Sequence, residues 1–153
     1  MNHATKFLVT MTQLEPLLRT HPRLARLTFY ELCDYVAWFW NRGTISFVQD
    51  DHWEPHAICL VKLFSSLRQF LDPFVHEPCG KFCMIELMVA DEPLAMGQIF
   101  EDLRARWGPQ EIMLWDRGER TEDGAPRMYR WDQFEKLARR LTYGSVTTTT
   151  ENV

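Results

Sequence analysis

The chain is short of regularly spaced cysteines, of long apolar runs and of positive charge, and each shortage excludes something. Its four cysteines (Cys33, Cys59, Cys79 and Cys83) follow no regular spacing. That excludes the disulfide framework of a small secreted scaffold and points to a reducing, cytoplasmic setting. Three of them stand in apolar runs and read as small buried hydrophobes. No stretch approaches the ~18 consecutive apolar residues of a membrane span. The opening Phe7-Leu8-Val9 is too short for the apolar core of a leader, and Gln13 and Glu15 break the segment after it. The formal net charge is −4, opposite in sign to a general nucleic-acid binder. Arg19, Arg23 and Arg26 form a local basic group, as do Arg127, Arg130, Arg139 and Arg140. There is no internal repeat and no linker.

What remains is an aromatic-rich chain of one-domain size. The 153 residues include six Trp and ten Phe, and 46% are hydrophobic. A chain this long buries enough surface to need no metal or disulfide staple. One domain over 1–143 is expected, followed by a disordered polar tail at 144–153, where threonines replace core-forming residues.

Local signals predict the element order. Residues 12–20 read as a short helix capped by Thr12 and ended by Pro22. Thr28 and Glu31 fit a capping box for a helix to about Asn41, with Gly43 at its C-terminal cap. Its aromatic residues (Tyr35, Trp38, Phe39, Trp40) spread over most faces, so it is buried or packs on a partner. Residues 44–49 and 56–64 read as a strand hairpin across an acidic turn. Residues 65–81 are irregular, with a helical turn near 66–71. Phe82–Ala90 is a nearly continuous apolar run, hence a central strand. Asp91-Glu92-Pro93 opens a helix to Trp107, which Gly108-Pro109 stops. Strands come next at 111–115 and 127–130, around a polar segment at 116–125. A helix from Asp132 to about Leu141 starts on a second capping-box pattern.

This order, with His21-Pro22-Arg23, the helix from Phe29, the strand end Val48-Gln49-Asp50-Asp51 and the central strand Met84-Ile85-Glu86-Leu87, resembles the GNAT superfamily. Within it, the chain is most similar to the toxin-activating lysine acyltransferases of the hemolysin-activator type. The resemblance implies an α/β (α+β) fold with a central, mostly antiparallel sheet flanked by helices. It also implies an N-acyltransferase that moves an acyl group from acyl-carrier protein or acyl-CoA to an amine such as a protein lysine. No permanently bound cofactor is expected, since the acyl carrier is a co-substrate. By the same resemblance the carrier lies along Val89, Ala90, Ala95, Met96 and Gly97, where the sheet splays. The glycine-rich phosphate loop of the superfamily is absent: Asp91-Glu92-Pro93-Leu94-Ala95-Met96-Gly97 holds one glycine and two acids.

His21 and Glu86 are the candidate catalytic pair. Aminolysis needs a group to take the amine proton, and a His backed by a carboxylate supplies one. The plainer reading makes His21 a solvated helix-end residue and Glu86 a polar residue on a sheet face. Even so, a carboxylate in an apolar strand needs a partner or a cleft. His52, His56, His76, Cys79 and Cys83 include metal-ligand types but no clean pair of spacings, so no metal is expected. Cys79 lacks a positioned His to make it a nucleophile. The Pro-rich loop at 70–81 is either a lid or a loop folded on the core. The second functional reading is an inactive GNAT-like binding or assembly module, using protein–protein contacts or a homodimer through the aromatic helix. Neither reading calls for a nucleic acid or a membrane span.

Overall fold

A computed structural model describes residues 2–72, 75–116 and 127–151, with side chains omitted for 70, 71 and 144–151. The elements are α1 (His3–Leu18), α2 (Phe29–Arg42), β1 (Ile45–Gln49), β2 (Pro55–Phe64), a 3₁₀ turn (Leu67–Leu71), β3 (Phe82–Ala90), α3 (Pro93–Trp107), β4 (Ile112–Trp115), β5 (Arg127–Arg130) and α4 (Trp131–Glu151).

The strands form one sheet in the order β1-β2-β3-β4-β5. Every neighbouring pair is antiparallel except β3 and β4, which run parallel. This is the α+β arrangement expected: a mostly antiparallel sheet flanked by four helices. Strand alternation divides the core. Ala57, Cys59, Val61 and Leu63 of β2 face α3 and α4, while Ile58 and Leu60 face α1 and α2. Strand β3 is covered on both faces, which explains its nearly unbroken apolar sequence.

Helix α2 forms as its sequence predicts. The Thr28 side chain accepts from the Glu31 amide, Glu31 reaches back to the Thr28 amide, and Gly43 ends the helix at φ +69°. Helix α1 starts earlier than predicted, at His3 with Asn2 as the cap, so Thr12 lies inside it. The hydroxyls of Thr10 and Thr12 donate to the carbonyls of Lys6 and Leu8, which absorbs two residues that otherwise favour helix ends. Helix α4 begins one residue before the predicted cap. There Gln133 accepts the Arg130 amide, doing the reach-back half of a capping box. The helix also continues through the threonine run to Glu151, taking in most of the expected tail. The polar segment expected at 116–125 lies outside the described residues from 117 onward. No helix among the described residues is long and apolar enough to cross a membrane.

Candidate functional site

The site grows from a flaw in β3. Leu60 of β2 pairs with Leu87, but the next residue, Val61, pairs with Ile85. Glu86 is therefore one residue too many for its partner strand, which is a β-bulge. On the other side, β3 pairs with β4 only from Phe82↔Ile112 to Ile85↔Trp115. A last bond runs from the Asp116 amide to the Ile85 carbonyl (3.1 Å). Beyond it β3 continues to Ala90 while β4 stops. Two parallel strands thus part at their carboxyl ends, which is where open α/β sheets hold ligands.

Arg23 stands in the gap. Its guanidinium donates to the Glu86 backbone carbonyl (3.0 Å) and to the Asp116 carboxylate (3.0 Å). It takes the place of a strand on the open edge. The Asp116 side chain is only 5% exposed, against 43% for Arg23. The turn after α1 that carries Arg23 also carries His21. The His21 Nδ1 accepts the Arg23 backbone N–H (3.2 Å). Burial and the Arg23 charge push the His21 imidazole below its ordinary range, and Asp116 partly opposes them. Burial and the Arg23 charge both favour the uncharged ring.

An open cleft of about 340 Å³ lies here. Pro22, Met88, Met96, Trp115 and Leu141 form its apolar walls, and His21 and Asp116 are its polar groups. Glu86 supports the site from the α2 side of the sheet. Its carboxylate lies 3.8 Å from the Lys62 Nζ, and Lys62 is 3% exposed. Lys62 also donates to the Asp72 carbonyl (3.0 Å), and burial pushes its ammonium below the ordinary lysine range. The Tyr35 phenol is raised by burial and by the charge of Glu86.

The structure sorts the sequence candidates. Arg23 ties the His21 turn to the Glu86 backbone, but the Glu86 carboxylate turns to Lys62 and is not among the residues lining the cleft, and the two side chains share no hydrogen bond. The carboxylate that shares the cleft with His21 is Asp116, which in sequence belongs to a charged turn. Of the carrier-binding candidates, Met96 lines the cleft, and Ala90 packs on the same α3/α4 side. Val89 points into the opposite core, and Ala95 sits on the buried face of α3. Gly97 faces α4: a Cβ there would stand 2.6 Å from Thr142 Cγ2. Its small size serves helix packing.

Arg23 and Asp116 do not stand out as site residues in the sequence, Arg23 because it resembles part of a basic patch. One signal points to Asp116: an acid directly after an apolar strand, as Glu86 is an acid within one.

At the start of α3, His56 lies between Asp91 (3.0 Å) and Asp50 (2.9 Å), and these hydrogen bonds raise its pKa to about 9. With Glu92, His56 and Asp91 bring ligand-type atoms within 4.8 Å of one another, the one such group among the described residues. Both His56 nitrogens are already engaged by carboxylates. The histidines and cysteines considered from sequence do not converge. The His76 Nδ1 accepts the Leu63 amide, Cys83 is buried and Cys79 is exposed. The aromatic face of α2 is largely covered within the chain. Trp40 packs on Phe7 and bonds to His3, and Trp38 packs on Phe39 and His76. Tyr30 is the exception, at 81% exposed. No model of a known protein family matches the chain, and no curated protein does either.

Proposed function

We propose that the chain is an N-acyltransferase of GNAT type that moves an acyl group from a thioester carrier to an amine such as a protein lysine. One observation carries the reading: the parallel strands β3 and β4 part after Ile85↔Trp115, at a bulged Glu86, beside an apolar cleft holding His21 and Asp116. Among the described residues no strand pairs with β3 beyond Ile85 on this side, and that edge would offer main-chain groups to an extended, amide-bearing carrier arm. The walls of Met88, Met96 and Trp115 suit the acyl chain, and the polar groups at the mouth suit the reacting carbonyl and amine. His21 and Asp116 line the cleft and would serve the chemistry, and Glu86, whose carboxylate turns to Lys62, would position the strand edge beside them.

The carrier we favour is acyl-carrier protein. Acyl-CoA brings several phosphates to the α3 N-terminus, where Asp91 and Glu92 oppose them, although the helix end attracts anions. The four cysteines are free, and a reducing cytoplasm suits them. The alternative, an inactive module that assembles or dimerises through α2, has less to work with because most of those aromatics are covered within the chain.

The test is acyl transfer from acyl-loaded carrier protein and from acetyl-CoA to a lysine peptide, with calorimetry for donor binding. Wild-type chain should bind and turn over a donor, and His21→Ala should slow turnover by about 10²–10³-fold while remaining folded. A folded wild-type chain that binds neither donor refutes the proposal.

A further inference from the structure

The tautomer of His21 decides what it can do in the cleft. The Nδ1 accepts the backbone N–H of Arg23, two residues on, at 3.2 Å. An accepting Nδ1 carries no proton, so in the neutral ring the proton sits on Nε2. Nε2–H has no hydrogen-bond partner among the described residues, and the ring lines the cleft. No carboxylate is bonded to Nδ1 to hold a proton there, which a base working through Nε2 would need. Asp116, the other polar group of the cleft, is an acceptor held by Arg23.

We infer that His21 acts in acyl transfer as a neutral hydrogen-bond donor, its Nε2–H serving the thioester carbonyl oxygen, while Asp116 takes the amine proton. This rests on the acyltransferase reading above. The neutral amine attacks the thioester carbonyl carbon and a C–N bond forms. The carbonyl electron pair moves to oxygen, which accepts a stronger hydrogen bond from Nε2–H. The amine proton passes to the Asp116 carboxylate. The oxyanion collapses, the C–S bond breaks, and the departing thiolate receives that proton from Asp116. The products are an amide and a free thiol, and His21 keeps its own proton throughout. The burial and the Arg23 charge that keep the imidazole neutral favour this state.

The test compares His21→Gln with His21→Ala in the full chain, using octanoyl-loaded carrier protein labelled with ¹³C at the thioester carbonyl. Gln keeps an N–H donor but has no basic nitrogen. Loss of one donor to a developing oxyanion costs about 10²–10³-fold in rate. His21→Ala should lose that much, and His21→Gln should stay within about tenfold of wild type. The bound carbonyl stretch should move to lower frequency in wild type and His21→Gln, and return toward its free value in His21→Ala. Far-UV circular dichroism checks that each variant folds. If wild type transfers the acyl group but His21→Gln is as slow as His21→Ala, the donor role is overturned and the acyltransferase reading stands. If wild type neither binds nor transfers the octanoyl group, both fall together.

Discussion

Replacing Arg23 with Met should loosen the opening between β3 and β4. The change keeps most of the apolar stem and removes two charge-assisted hydrogen bonds, each 3.0 Å long. Bonds to charged groups contribute about 1.5–3 kcal/mol each, and breaking a fully buried ion pair costs ~3–5 kcal/mol. The Asp116 side chain is 5% exposed but Arg23 is 43% exposed, so water screens the pair and the lower range applies. We expect Arg23→Met to cost about 2–3 kcal/mol, or roughly 4–12 °C in Tm for a chain of this size. Asp116→Asn and the double variant complete a cycle, read by urea unfolding with tryptophan fluorescence. The coupling energy should lie at about 1–3 kcal/mol, because the residues touch. Coupling below ~0.5 kcal/mol is the additive error of independent sites. That result would show that the bridge does not hold the site together.

Three other substitutions test the packing and the charge pairs around α3. Gly97→Ala gains up to ~1 kcal/mol of helix propensity but drives a Cβ into Thr142, and overpacking costs about 1–3 kcal/mol, so the variant should be destabilised. Thr142→Ser, which lacks the opposing methyl, should restore it in thermal melts, whereas a carrier-binding role for Gly97 would show as weaker donor binding at unchanged stability. The His56 pKa, raised to about 9, exceeds its unfolded value near 6.5. Its contribution to stability is therefore complete below about pH 6.5 and is lost as pH rises toward 9. Asp50, held low by the same contact, contributes above its ordinary carboxylate range and loses that contribution as pH falls through the acid range. His56→Gln should flatten the alkaline side of the stability profile. An NMR titration that finds His56 near its ordinary value would refute the paired geometry.

Whatever depends on neighbours within a turn or a strand is legible in the residue order alone. Thr28 and Glu31 are three residues apart, so their capping box needs only local backbone geometry, and Gly43 supplies the left-handed residue that ends α2. The apolar run Phe82–Ala90 requires burial on both faces and becomes the central strand. Where competing local signals are close in strength, as with the threonines of α1, tertiary packing decides. Met11, Leu14 and Leu18 are fully buried against α2 and the sheet, which keeps the whole segment helical.

The site belongs to the other class. His21 and Glu86 are visible as residue types out of place, but their relation to each other is not. Arg23 and Asp116 are 93 positions apart, and nothing in either neighbourhood encodes the other. The bulge at Glu86 arises from the register of β2 against β3, and the opening arises because β4 ends while β3 runs on. Both are properties of strand pairing across the sheet. Pairing is set by how two whole faces bury their side chains. Which carboxylate His21 meets, and which nitrogen it turns to the cleft, are therefore settled only once the chain has folded.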